Sequence, residues 1–159
     1  MKKHYLIQLF IACLISISVF AESDIITLSD GIYFKDGSQK ELYTGDYKEL
    51  YPDGSLKLEM RIKNGQIEGT YVTYFPNGNV KEVRSYLDGQ LHGTWRTYNS
   101  DAILTAEAIY SHGKKNGTWR IWDDSGKLRY QMNFINNKKI GVWKSWNENG
   151  IIVQTRTYK

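Results

Sequence analysis

The sequence predicts an all-β chain: an elongated open antiparallel sheet of stacked β-hairpins with a period of 24 residues. Three observations carry this expectation. Gly45, Gly69, Gly93, Gly117 and Gly141 recur at a single spacing. Two residues after each comes a large aromatic, at Tyr47, Tyr71, Trp95, Trp119 and Trp143, and five after it comes Leu50, Tyr74, Tyr98, Trp122 or Trp146. Asp-Gly and Asn-Gly pairs punctuate the units, as at Asp53-Gly54, Asn64-Gly65, Asn77-Gly78 and Asp88-Gly89. Such pairs favour hairpins because glycine takes positive φ without a Cβ clash. Many columns held at one period, with no insertion, mean a stacked array. A helical reading fails, since Gly recurs too often and β-branched and aromatic residues dominate.

The first element is a targeting segment. Met1-Lys2-Lys3 is a short basic start, and the apolar stretch from Tyr5 to Phe20 is broken only by Gln8, Ser16 and Ser18. Val19-Phe20-Ala21 then places small residues where a leader peptidase reads, and Glu22-Ser23-Asp24 turns polar. This is the layout of a secretory signal peptide over residues 1–21, and the run is shorter than the ~20 apolar residues that span a bilayer. Cleavage is expected after Ala21. Phe10-Ile11-Ala12-Cys13 resembles a lipobox poorly, with Phe in place of Leu, so lipidation at Cys13 is not expected.

Residues 22–44 read as an N-terminal capping half-repeat. Ile32 to Gly37 resembles a second strand with its turn, and Ser38 to Thr44 is a longer link. Five repeats follow, at 45–68, 69–92, 93–116, 117–140 and 141–159. In each, a first strand runs from the leading Gly through the aromatics, as in Gly117 to Trp122. A turn such as Pro52-Asp53-Gly54 follows. The second strand, such as Lys127 to Phe134, alternates apolar and polar residues with period two. That strand carries an aliphatic column at Leu56, Val80, Leu104, Leu128 and Ile152, and a further column at Ile62, Tyr86, Tyr110, Phe134 and Tyr158. Ala102 replaces the turn Gly of the third unit, so a different turn is expected there. Asn137 replaces a link Gly, which Asn tolerates because it visits the left-handed region. Ten strands spaced about 4.8 Å apart give a sheet roughly 45 to 50 Å long.

Composition narrows the function. The chain has 159 residues, 21 Lys+Arg against 17 Asp+Glu, one Cys, and 22 aromatics made of five Trp, 12 Tyr and five Phe. Loss of Lys2 and Lys3 with the leader leaves 19 basic against 17 acidic residues, a net of +2. So small an excess argues against nucleic acid, which needs clustered cations. One Cys excludes an internal disulfide framework and a Cys-based zinc site. No later segment suits a transmembrane helix.

Chemistry is sparse. His92 and His112 lie in links between units, without metal-ligand spacing, and no Gly-x-Ser-x-Gly occurs. Glu59, Glu82 and Glu107 fall in successive second strands and could in principle form a carboxylate set. A solvated face paired with Lys57, Lys81 and Arg84 is the favoured reading. No catalytic, cofactor-binding or metal-ligating residue is expected, and no cofactor. The remaining candidate site is the ladder Tyr47, Tyr71, Tyr74, Trp95, Tyr98, Trp119, Trp122, Trp143 and Trp146. Packing spine is the favoured role, because a repeat array needs one. A binding strip for sugars or peptides can coexist with it, since a single-layer sheet cannot bury both faces.

The motif Gly-x-Trp/Tyr-x-x-Trp/Tyr, then Asn/Asp-Gly, an aliphatic, an aromatic and Asn/Asp-Gly resembles the MORN-repeat variant common in bacterial proteins, over residues 32–158. The resemblance implies elongated hairpin stacks that serve protein contacts, homodimerisation and phospholipid contact. Some relatives carry an antitoxin-like label. The expectation is thus an exported, non-enzymatic binding or scaffold module, periplasmic, secreted or at the cell surface, for protein, glycan or envelope partners. The alternative is a cytoplasmic antitoxin-like protein that binds a cognate toxin. An open C-terminal edge strand leaves homodimerisation through the sheet edge possible.

Overall fold

The computed structural model describes residues 26–35 and 39–159. The leader, its cleavage site, Cys13 and the Asp36-Gly37 turn lie outside the described residues. Twelve strands follow in chain order: β1 (Thr27–Ser29), β2 (Ile32–Phe34), β3 (Gly45–Leu50), β4 (Leu56–Lys63), β5 (Gln66–Tyr74), β6 (Val80–Leu87), β7 (Gln90–Tyr98), β8 (Leu104–Ser111), β9 (Lys114–Trp122), β10 (Leu128–Ile135), β11 (Lys138–Trp146) and β12 (Ile152–Tyr158). Strands β3 to β12 form one ten-stranded sheet in sequence order, and β1 and β2 form a separate two-stranded sheet. Every neighbouring pair is antiparallel. The architecture is the all-β hairpin stack expected from the period. Among the described residues no helix is long and apolar enough to cross a membrane.

Two kinds of turn alternate along the stack. The links between units are tight two-residue turns whose residues both have positive φ: Asn64 and Gly65, Asp88 and Gly89, His112 and Gly113, Asn136 and Asn137. This is the turn whose twist matches that of the flanking strands, and Asn, Asp, His and Gly are the residues that tolerate it best. Asn137 thus takes the conformation expected of it, at φ 69°. At the opposite end, five-residue connections such as 51–55 join the strands within a unit. Tyr51 N–H donates to Ser55 O and Gly54 N–H to Tyr51 O, with the same pair of bonds at Phe75, Asp123 and Asn147.

Ala102 does not change its turn, contrary to expectation. Asn99 N–H donates to Ile103 O and Ala102 N–H to Asn99 O, and Ala102 is held at φ 61°, where the other units have Gly. Asn99 Oδ1 also accepts from the Asp101 and Ile103 amides. Asp123 and Asn147 do the same in their turns, with Asp123 Oδ1 accepting from Ser125 and Lys127. The first two turns use the Pro-Asp/Asn pair instead, Asp53 Oδ1 accepting from the Ser55 amide and hydroxyl. Hydrogen bonds from Ser55 and Ser125 hold the carboxyls of Asp53 and Asp123 below the usual aspartate range.

Four of the five leading glycines sit inside the strands and not at their starts; Gly45 alone begins its strand, β3. β5, β7, β9 and β11 begin three residues earlier, and Gly69, Gly93, Gly117 and Gly141 all have positive φ. Pairing with the preceding strand slips beside each of them, as between Met60 and Ile62 and between Glu107 and Ile109. The second to fifth repeats therefore each carry a glycine bulge, which deepens the twist, and the first does not. The N-terminal segment differs too. The left-handed pair Asp30-Gly31 folds it into the β1–β2 hairpin, whereas the sequence suggested a lone second strand. This hairpin meets the first link: Tyr33 N–H donates to Gly65 O, and Gly65 N–H to Tyr43 O. A Cβ on Gly65 would lie 2.8 Å from Ile32 Cγ2 and 2.9 Å from Leu42 Cδ2, so only glycine fits.

The sheet has little interior. Met60, Ile62, Ala108 and Phe134 are the buried apolar side chains among the described residues, and only Ile62 is fully enclosed. Ile62 lies beside the Gly65 link, where the N-terminal hairpin supplies cover.

Ala102→Gly removes a Cβ from a left-handed position, where an L-residue costs about 1–2 kcal/mol, less the entropy glycine adds to the unfolded chain. Denaturant unfolding should show the variant more stable by roughly 0.5–1 kcal/mol. Destabilisation would mean that the turn does not hold Ala102 in this conformation.

Candidate functional site

Side chains alternate between the two faces of a strand, so register decides which columns meet. The Tyr47 column and the Tyr86 column share one face. Gly69 pairs with Tyr86, Gly93 with Tyr110, Gly117 with Phe134 and Gly141 with Tyr158, which sets each of these rings beside the aromatic two residues past the glycine. The result is an unbroken ring ladder: Trp95, Tyr110, Trp119, Phe134, Trp143 and Tyr158. Centroid separations run 5.7, 5.2, 5.1, 5.1 and 4.7 Å, with tilted planes. Tilted pairs at this range are the favourable geometry for rings with a quadrupole. Toward the N-terminus the ladder breaks into the pairs Tyr33–Tyr47 and Tyr71–Tyr86, at 6.0 and 6.1 Å. Met60 and Ile62 lie between them on the same face.

The nine residues expected as one ladder divide between the two faces. Tyr47, Tyr71, Trp95, Trp119 and Trp143 lie on the ladder face. Tyr74, Tyr98, Trp122 and Trp146 lie on the other, because a residue three positions along an extended strand points to the opposite side. There they pair with the aliphatic column: Tyr74 with Val80, Tyr98 with Leu104, Trp122 with Leu128 and Trp146 with Ile152. Tyr74 Oη donates to Glu59 Oε1 at 2.6 Å, which pushes the Tyr74 pKa up to about 12. Tyr47, half-buried, is likewise pushed up to about 12, by burial and then by its bond to Glu49.

Cations cap the ladder. Lys115 Nζ sits 4.7 Å from the Trp119 ring centre and 5.4 Å from that of Phe134. Lys139 Nζ repeats this over Trp143 and Tyr158, at 4.9 and 5.4 Å. The Arg84 guanidinium bridges the break in the ladder, 5.2 Å from Tyr71 and 4.6 Å from Trp95, while its Nε lies 2.9 Å from Glu82 Oε1. Arg156 covers Tyr158. Indole N–H groups tie the ladder to the backbone, Trp119 Nε1 donating to Ile109 O and Trp143 Nε1 to Asn133 O.

The three glutamates do not form a set. Glu59 and Glu107 face away from the ladder and Glu82 faces with it. Each is ion-paired: Glu59 with Lys48 at 3.6 Å, Glu82 with Arg84, and Glu107 with Arg96 at 2.9 Å and Arg120 at 3.2 Å. Lys57 pairs instead with Glu49, at 3.0 Å. His92 and His112 do meet, ring centres 4.7 Å apart edge to face, and the His112 amide donates to His92 Nδ1. Among the described residues no third ligand completes a metal-binding group with them.

Residues 43–64, 67–88, 115–136 and 139–159 match the MORN repeat variant. Between the second and third of these spans, β7 and β8 form a hairpin of the same sheet, carrying Ala102 in its turn. Comparison with curated proteins gives no match.

Trp119 holds two ring neighbours, a backbone hydrogen bond and a cation, while Trp122 on the other face has no ring neighbour among the described residues. Trp119→Ala should cost about 3–5 kcal/mol in equilibrium unfolding, the range for truncating a packed aromatic. Trp122→Ala should cost less by about 1 kcal/mol or more, the worth of the missing aromatic pairs. Equal losses would remove the ladder's special place.

Proposed function

Because the chain belongs to the MORN repeat variant family, we propose that it works as an exported, non-enzymatic binding module for protein, glycan or envelope partners. The observation that carries the proposal is the sheet's shape. One layer of ten strands buries four apolar side chains among the described residues, and leaves two long faces for contact. The ladder face offers half-buried rings under cations, a surface that can grip a partner without reorganising. Support for a non-enzymatic role comes from the carboxylates. Glu59, Glu82 and Glu107 are divided between faces and neutralised by Lys48, Arg84, Arg96 and Arg120, which is poor ground for acid–base work.

Export rests on the leader-like residues 1–21. The signal is a basic start, an apolar run and small residues before an acidic stretch. A module freed at Glu22 would carry the whole sheet and its N-terminal hairpin.

Intact mass and N-terminal sequencing, combined with cell fractionation and co-sedimentation on envelope material, test the proposal. A chain that starts at Glu22, lies outside the cytoplasm and sediments with the envelope is the expected result. An intact Met1 in the cytoplasm would overturn it and turn attention to a toxin partner.

A further inference from the structure

We propose that the ladder face from Gly93 to Tyr158 binds an acidic glycan, a chain of sugars carrying carboxylates. This rests on the binding-module reading and names the ligand class for it. Three features of the face converge on that chemistry.

The first is unbalanced charge. Beyond Gly93 the chain holds five carboxylates. Asp101, Asp123, Asp124 and Glu148 sit in the loops within units, and Glu107 is held on the opposite face by Arg96 and Arg120. The ladder face of this half therefore presents no carboxylate. It presents Lys115, Lys139 and Arg156, which lie on rings and form no ion pair among the described residues. Other cations of the sheet are neutralised, as in Lys48–Glu59, Arg61–Asp46 and Arg84–Glu82, although Lys81 also lies on a ring, that of Phe75, without an ion pair among the described residues. An anion meeting Lys115 or Lys139 thus gains a cation with no carboxylate competing for it.

The second is shape. Two hollows lie along the face. One, of about 150 Å³, is lined by Trp95, Thr97, Ala106, Ala108, Trp119 and Ile121, with Glu107 and Arg120, ion-paired to each other, also at its wall. The other, of about 240 Å³, is lined by Tyr130, Met132, Trp143, Ser145, Gln154 and Arg156 among others. The first exists because the third unit has Ala106 and Ala108 where other units carry larger side chains, such as Glu82 and Arg84 or Tyr130 and Met132. Both hollows have tryptophan walls; the first is almost wholly apolar, with the Thr97 hydroxyl bonded to that of Thr105, and the second adds the Ser145 hydroxyl and the Gln154 amide. A pyranose offers a flat C–H face to an indole and hydroxyls to Ser145 and Gln154, whereas an acyl chain offers nothing to those polar groups.

The third is spacing. Lys115 and Lys139 stand two strands apart, about 10 Å at the usual strand separation. An extended disaccharide repeat has the same length scale, so one polymer running across the strands meets cation, ring and hollow in step. A peptide adding to a sheet would use its edge backbone instead.

The test is binding of the chain to polygalacturonate, by tryptophan fluorescence and affinity electrophoresis. Methyl-esterified polygalacturonate, polyglutamate and phosphatidylglycerol vesicles serve as comparisons. Binding to the acid form at least ten-fold tighter than to ester or polyglutamate is expected. The double variant Lys115→Gln/Lys139→Gln should lose at least ten-fold, and Lys48→Gln, on the other face, should lose nothing. Equal binding of ester or polyglutamate, capture by vesicles alone, or equal loss from Lys48→Gln would overturn the proposal. If glycan binding fails while envelope co-sedimentation persists, the ligand class falls and the module stands. If both fail, the module falls too.

Discussion

Contact between aromatic rings on neighbouring strands is the interaction on which this fold depends, because the described residues give the sheet no second layer. Ordinary sheets bury one face against helices or another sheet. Here four apolar side chains are buried, one of them completely. The remaining burial has to come from side chains lying across the strands of their own sheet. Small aliphatics reach too little of a neighbour to do this, whereas rings stacked at 4.7–5.7 Å cover each other continuously from Trp95 to Tyr158. Lys115, Lys139, Arg84 and Arg156 then lay their stems and charges on the exposed ring faces, so the cations add cover as well as electrostatic attraction.

A ladder of this kind works only if the register never slips, since a one-residue shift would send every ring to the other face. The turns enforce the register from both ends. Two-residue links with both residues left-handed leave no slack, and the loops within units are closed by two backbone bonds and by Asp or Asn caps. The links also tie unit to unit: Gly89 N–H donates to Ile67 O, Gly113 N–H to Leu91 O and Asn137 N–H to Lys115 O. At the first end, where rings give way to Met60 and Ile62, the β1–β2 hairpin takes over the covering role, with Tyr33 tilted against Tyr47.

The all-β hairpin stack was legible because its period is exceptionally regular in glycine and aromatics. Other features were hidden for physical reasons. The glycine bulges look like strand starts in sequence, since both uses need a residue without a Cβ. The division of Trp119 from Trp122 follows from strand alternation, yet two aromatics in one motif read naturally as one strip. Pairing Trp119 with Phe134 depends on register across two strands, which the Phe134 column alone does not reveal. Lys115 and Lys139 follow Ile67 and Leu91 in their column, so the change from aliphatic to cation conceals a shared position. The third unit's Ala106 and Ala108 look unremarkable until their neighbours Trp95 and Trp119 are seen to stand on either side.

That same economy explains why a binding surface and a packing spine can share residues. The inner edges of the rings hold the strands together, and their outer faces, under unpaired lysines, stay available. A double-mutant cycle of Trp119→Leu and Phe134→Leu in equilibrium unfolding tests the central claim most directly, with Trp119→Leu and Tyr158→Leu as the non-contacting pair. Ring contact predicts a coupling of about 0.5–1.5 kcal/mol for the first pair. The second pair should be additive to within about 0.5 kcal/mol. Additivity in both cycles would contradict the account, and would place the cohesion of the sheet in its backbone bonds and turns.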